Sequence, residues 1–97
     1  MMDKVTKIEV TFYGRLAKVF QKGKREVNLR NAPNIRVLMD VLCPSYEDRE
    51  KIFKKDSTLR PEIIILRNGR NISLLNGLDT ELNPGDSVAI FPPTQGG

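Results

Sequence analysis

The sequence predicts an α+β fold, a mixed sheet with one main helix packed on one face. Three observations lead there. Apolar residues alternate with polar ones near both ends of the chain, which is the period of half-buried strands. One strongly amphipathic helical stretch lies between them, at Ile35 to Leu42. Asn68-Gly69 then marks a tight hairpin directly after the apolar run Ile63 to Leu66.

Val5 to Tyr13 reads as the first strand, because Ile8, Val10 and Phe12 alternate with Lys7, Glu9, Thr11 and Tyr13. Gly14 ends it. Leu16, Val19 and Phe20 follow as satellite core contacts in a wide loop. A turn over Lys22-Gly23-Lys24 leads to a second strand, Arg25 to Leu29, pairing antiparallel with the first and turning Val27 and Leu29 inward. Asn34 is a suitable N-cap for the helix Ile35 to Leu42, whose residues Ile35, Leu38, Met39 and Leu42 share one face. Pro44 pushes Cys43 out of helical geometry and stops it. Ser45 caps a second, charged helix from Tyr46 to about Lys55, in which Tyr46, Arg49, Ile52 and Phe53 are positioned to cover the core. Glu62 to Arg67 is a strand covered on both faces, or covered by the core on one face and by a partner on the other; Arg70 to Leu74 is a short return strand, and Leu75 to Leu82 a compact loop. Pro84-Gly85 turns the chain into the last strand, Ser87 to Phe91, with Val88 and Ile90 facing the helix, and Pro92-Pro93 ends it.

A hairpin, a helical crossover and further strands in this order make the β-grasp, or ubiquitin-like, roll. Its first and last strands lie side by side and parallel. The expected division is a domain over residues 1–91 and a Gly-Gly tail over 92–97, leaving from the end of a central strand.

Composition narrows the function. The 97 residues carry a net charge of +4, one cysteine and no histidine. A disulfide framework is therefore excluded, no metal site is expected, and the usual general base is absent. The basic residues are scattered and not interleaved with aromatics, which argues against nucleic acid. No apolar stretch approaches the roughly 18 residues of a membrane span, and no signal peptide is seen, so a cytoplasmic protein with no membrane partner is expected.

The tail has a mechanism. A terminal carboxylate, with a pKa near ~3.5, is ionised and unreactive at neutral pH until it is activated, for instance as an anhydride with AMP. Pro92-Pro93 stiffens the exit, and Gly96-Gly97 can thread a narrow channel of a partner enzyme. Gly97 is thus the candidate reactive residue, carried by Pro92, Pro93, Thr94, Gln95 and Gly96.

At this point the chain resembles the MoaD/ThiS-type ubiquitin-like sulfur carriers, the small subunits of molybdopterin synthase among them. The resemblance covers nearly the whole chain. It rests on Phe12-Tyr13-Gly14-Arg15-Leu16, on Asn68-Gly69-Arg70, on Leu78-Asp79-Thr80 with Leu82, on Gly85-Asp86 with Val88, and on Ile90-Phe91-Pro92-Pro93 with Gly96-Gly97. Thr94-Gln95 departs from it, since many members have small apolar residues there. The charged stretch Ser45 to Lys55 makes the chain slightly longer than the shortest carriers. The resemblance implies adenylation of Gly97 by a MoeB-like activating enzyme that uses ATP and Mg, with no cofactor bound permanently. It implies a thiocarboxylate next, and sulfur delivery to a MoaE-like large synthase subunit for molybdopterin or tungstopterin. The chain itself is then a non-catalytic carrier subunit. Alternatives are a modifier joined through Gly97 to lysines of target proteins, a thiazole or tRNA sulfur carrier, and a non-covalent β-grasp interaction domain.

Outside the tail, Cys43 reads as a small packing residue, and Asp79 and Asp86 as turn residues supporting local backbone. Phe91 has two placements open to it. With Ala89, Ile63 and Ile65 it can form an apolar partner-binding patch beside the tail. It can also lie buried under the loop around Leu16 to Phe20.

Overall fold

The computed structural model describes residues 5–20 and 23–92; the predicted tail residues Pro93 to Gly97 lie outside them. Five strands form one sheet in the order β2-β1-β5-β3-β4. β1 (Val5–Phe12) pairs antiparallel with β2 (Lys24–Arg30), from Val5 opposite Arg30 to Thr11 opposite Lys24. β5 (Ser87–Phe91) lies parallel to β1 and antiparallel to β3 (Ile64–Arg67), and so occupies the centre of the sheet. This is the ubiquitin-like β-grasp arrangement, and each strand sends its even-numbered or odd-numbered side chains inward as the pleat requires. Ile8, Val10 and Phe12 of β1 meet Val27 and Leu29 of β2, Ile65 of β3 and Val88 and Ile90 of β5 in a single core.

Helix α2 (Ile35–Leu42) covers that face. The Asn34 side chain accepts the Val37 N–H at 2.9 Å, so one orphan donor of the first turn is satisfied. Ile35, Leu38, Met39 and Leu42 are all buried; each such side chain contributes roughly 1.5–3 kcal/mol by leaving water. Val37 and Val41, off that stripe, stay exposed.

Three elements differ from expectation. Arg15–Val19 is a short helix, α1, not a loop. It brings Phe20 onto Phe12, with ring centroids 4.4 Å apart and nearly parallel, and buries Leu16. Helix α3 (Tyr46–Ile52) is capped by Ser45 but ends three residues early. Phe53 leaves it to pair with Leu59, and Lys54 N–H bonds Thr58 O at 2.8 Å. Ile52 and Phe53 are buried as expected, whereas Tyr46 is 69% exposed and lies outside the core. Finally, β4 is only Arg70–Asn71, because the Asn71 side chain accepts the Ser73 N–H and starts a 3-10 turn over Ile72–Leu74. The turn joining β3 to β4 has Asn68 and Gly69 both at positive φ, 50° and 84°, as a two-residue hairpin demands.

Candidate functional site at the end of the central strand

The site is built where β5 leaves the sheet. Val88 and Ile90 point into the core, so alternation turns Ala89 and Phe91 to the opposite, helix-free face. Phe91 lies across from Ile64, and Ala89 across from Leu66 on one side and Thr11 on the other. Tyr13 continues β1 by donating its N–H to Ile90 O at 3.0 Å. Its ring then stacks on Phe91 with centroids 4.4 Å apart and planes 7° apart. The result is an apolar strip of Tyr13, Phe91, Ala89, Ile64 and Leu66, with the Lys24–Glu9 pair (3.5 Å) toward the β2 side of the same face. Tyr13 is 43% exposed and Ile64 40%.

This decides between the two placements of Phe91. Leu16 and Phe20 pack on the inner face with Phe12, leaving Phe91 half-buried on the outer one. The assignment of Ile63 and Ile65 to the outer strip is corrected. Ile65 pairs with Ile90 and is fully buried, and Ile63, whose N–H bonds Arg60 O at 3.0 Å, turns into the core. Ile64 and Leu66 take their places. Four apolar residues in a row carry no parity, so only the register with β5 reveals which pair faces outward.

A second feature that sequence reasoning missed aims the exit. Gly14 has φ 57° and ψ −139°, a conformation that suits glycine. A Cβ there would meet Pro92 Cγ at 2.9 Å. The turn after β1 therefore lies directly against Pro92, the first residue past β5. The signal was present as Tyr13-Gly14 followed much later by Pro92, but the contact between them is tertiary.

The Cys43 thiol is buried behind α2, and burial, reinforced by Asp48 and Asp40, pushes it up to about 12. It stays a protonated packing group at neutral pH. Among the described residues no three His, Cys, Asp or Glu side chains cluster as a metal site would require, and no helix is long and apolar enough to cross a membrane. Asp86 accepts from Asn83 N–H, Asn68 Nδ2 and Arg67 Nε and so serves the scaffold, whereas the Asp79 carboxylate meets Arg36 in an exposed contact at 3.4 Å.

Comparison with known proteins agrees with this architecture. The ThiS family model matches residues 10–97. A protein of Archaeoglobus fulgidus described as a sulfur carrier is 49% identical over 51 residues, 53% of this chain and 58% of that one. The chain spans about half the length of the curated relatives it matches. The crystal structure of small archaeal modifier protein 1 from Haloferax volcanii superposes with a TM-score of 0.81 at 26% identity, covering 94% of this chain and 99% of that one. A Pyrococcus furiosus structure described as molybdopterin converting factor, subunit 1, superposes with a TM-score of 0.72 at 26% identity, covering 92% and 99%.

Proposed function

This chain belongs to the ThiS family of ubiquitin-like sulfur carriers and modifiers, and from that premise we propose that it carries sulfur as a thiocarboxylate on Gly97 for molybdopterin or tungstopterin synthesis. The observation that supports this most is the central-strand exit. β5 is gripped on both sides, Pro92 rests against Gly14, and Gly96-Gly97 follows within a few residues. A strand held on both sides gives a tail that follows it a fixed starting point on a rigid body. The chain has no histidine and its cysteine is buried, so the chemistry is run on the tip by partners.

The sequence of steps follows from carboxylate chemistry. An activating enzyme binds ATP and Mg; the Gly97 carboxylate attacks the α-phosphate and pyrophosphate leaves. The outer sulfur of a persulfide then displaces AMP from the acyl adenylate. A thiol cleaves the resulting acyl disulfide and leaves the thiocarboxylate. A large synthase subunit takes the sulfur, and water returns the carboxylate. In this scheme the strip of Tyr13, Phe91, Ala89, Ile64 and Leu66 docks the partners, since Phe91 is the last strand residue before the tail.

A second reading shares the first step. The likeness to a small archaeal modifier protein favours attack on the activated Gly97 by a lysine amine, which leaves an amide on a target protein. Intact-mass measurement after incubation with ATP, a MoeB-like enzyme and a persulfide donor tests the carrier. Replacement of one carboxylate oxygen by sulfur is expected, and no mass change in the full chain would refute it. Expression of the tagged chain in its native cell separates the two readings. The carrier runs as one band under reducing, denaturing conditions. A ladder that disappears on removal of Gly97, with Gly-Gly remnants on lysines, would give the modifier precedence.

A further inference from the structure

Two asparagines of the chain precede a glycine, Asn68 and Asn76, and the fold treats them differently. The dipeptide matters because it can close on itself. The glycine main-chain nitrogen attacks the carbonyl carbon of the asparagine side chain. A ring carbon–nitrogen bond forms, the side-chain carbon–nitrogen bond breaks, and the amide proton leaves with the nitrogen as ammonia. Water then opens the cyclic imide at either carbonyl, giving aspartate or isoaspartate. Glycine favours the step because no Cβ crowds its nitrogen and its backbone angles are free.

Exposure does not separate the two sites. Both asparagines are exposed, and a Cβ built on Gly69 or Gly77 would meet nothing within 4 Å. Hydrogen bonding does separate them. Asn68 uses both ends of its side-chain amide: Nδ2 donates to Asp86 Oδ1 at 2.9 Å, and Oδ1 accepts the Ser87 N–H at 2.9 Å. Its own N–H donates to Ser87 O at 2.8 Å. To close on Gly69 the side chain has to give up both of its bonds. The Asn76 side chain makes no hydrogen bond among the described residues, and the Gly77 N–H has no acceptor among them. Asn76 is restrained by its own turn, through its N–H to Thr80 Oγ1 at 3.1 Å and the Asp79 N–H to its O at 3.0 Å. With Asn76 at ψ 24° the Gly77 nitrogen lies on the far side of the backbone bond from Cβ, so ring closure waits on opening of that turn. Opening one exposed turn costs less than releasing a hairpin tied to the central strand.

We propose that Asn76 is a site of spontaneous deamidation, and that Asn68, with the same neighbour, is protected by its clasp on Asp86 and Ser87. The product places a carboxylate at residue 76 and, as isoaspartate, an extra methylene in the main chain. The altered turn carries Thr80, whose O accepts the Ile35 N–H at 3.0 Å where α2 begins. The modification is therefore felt at the first turn of that helix. The inference stands whether or not Gly97 carries sulfur.

The experiment incubates the whole chain at mildly alkaline pH, folded and, in parallel, in guanidinium chloride, and follows both sites by peptide mass spectrometry. In the folded chain the mass gain of amide to acid is expected at Asn76, at least about tenfold faster than at Asn68, because local opening governs the rate. In guanidinium the two sites should react at similar rates, since the clasp is gone. Asn76→Gln should abolish the gain at residue 76, because the larger ring closes far more slowly. Asp86→Ala, which frees one end of the Asn68 amide, should raise the Asn68 rate; the denatured arm keeps the comparison readable if that variant does not fold. Amide NMR shifts at Ile35 and Thr80 should accompany the modification. Three results would overturn the proposal. They are equal rates at the two sites in the folded chain, a folded chain inert at Asn76 while the denatured one reacts, and a bias toward Asn76 of the same size in guanidinium. The last would place the difference in the neighbouring residues and not in the fold.

Discussion

Gly14 and Phe91 do different work a few ångströms apart. At Gly14 the backbone lies in a region other residues enter at a cost of about 1–3 kcal/mol, and a methyl group would press on Pro92. Gly14→Ala is therefore expected to lower stability by about that amount in urea melts. It should also slow adenylation of the tail in protein that remains folded, because Pro92 must move. Unchanged loading would show that the exit does not need this contact. Phe91 is half-buried and stacks on Tyr13, and such aromatic pairs contribute about 0.5–1.5 kcal/mol beyond the area they bury. Phe91→Ala should thus cost about 1 kcal/mol. Phe12→Ala, which empties a buried site under Phe20, should cost about 3–5 kcal/mol. Phe91→Asp should weaken partner binding far more than it lowers the melting temperature. A collapse of the fold comparable to Phe12→Ala would place Phe91 in the core after all.

Among the elements, the β3–β4 hairpin depends on one carboxylate. Asp86, at the start of β5, is bonded by Asn83 N–H (2.8 Å), Asn68 Nδ2 (2.9 Å) and Arg67 Nε (3.2 Å). Asn68 Oδ1 in turn accepts the Ser87 N–H at 2.9 Å and Asn68 N–H donates to Ser87 O at 2.8 Å, so Asn68 at the hairpin tip is tied to the strand start three times. Burial raises the Asp86 pKa, but the three hydrogen bonds and the Arg67 charge outweigh it and hold the group below the usual carboxylate range. A lowered folded pKa means that this stabilisation is fully present above the unfolded value of about 3.9. It is lost as pH falls through the folded value. Asp86→Asn should cost about 1.5–3 kcal/mol at pH 7, as hydrogen bonds to charged groups do. It should also flatten the fall of stability below pH 4. Parallel acid limbs for the two proteins in denaturant titrations would move the effect elsewhere.

For the whole molecule, body and tail should be separable. Among the described residues the core ends at Ile90 and the sheet at Phe91. Removing residues 94–97 is expected to change stability by less than about 0.5 kcal/mol, the range of surface changes that touch no core feature. The same truncation should abolish loading by the activating enzyme. A large drop in melting temperature would show that the tail packs on the body, and retained ATP turnover would remove Gly97 from the chemistry.

The β-grasp order was legible in the sequence because its signals are local. Alternation set β1, β2 and β5; Asn34, Pro44 and the Ile35–Leu38–Met39–Leu42 stripe bounded α2; Asn68-Gly69 placed the hairpin. The Gly-Gly motif and its two prolines are likewise written in consecutive residues, and so the candidate reactive group could be named at once. Helix α1 was not legible: five residues beginning at Arg15, with no capping side chain, take their stability from Leu16 and Phe20 meeting Phe12. The outward parity of β3 was not legible either, because Ile63-Ile64-Ile65-Leu66 is apolar on both faces and its partner β5 lies more than 20 residues away. The same holds for the Gly14–Pro92 contact and the truncated β4. Sequence determines what neighbouring residues prefer; which distant strand edges and loops face one another is decided only when burying the apolar faces fixes the register.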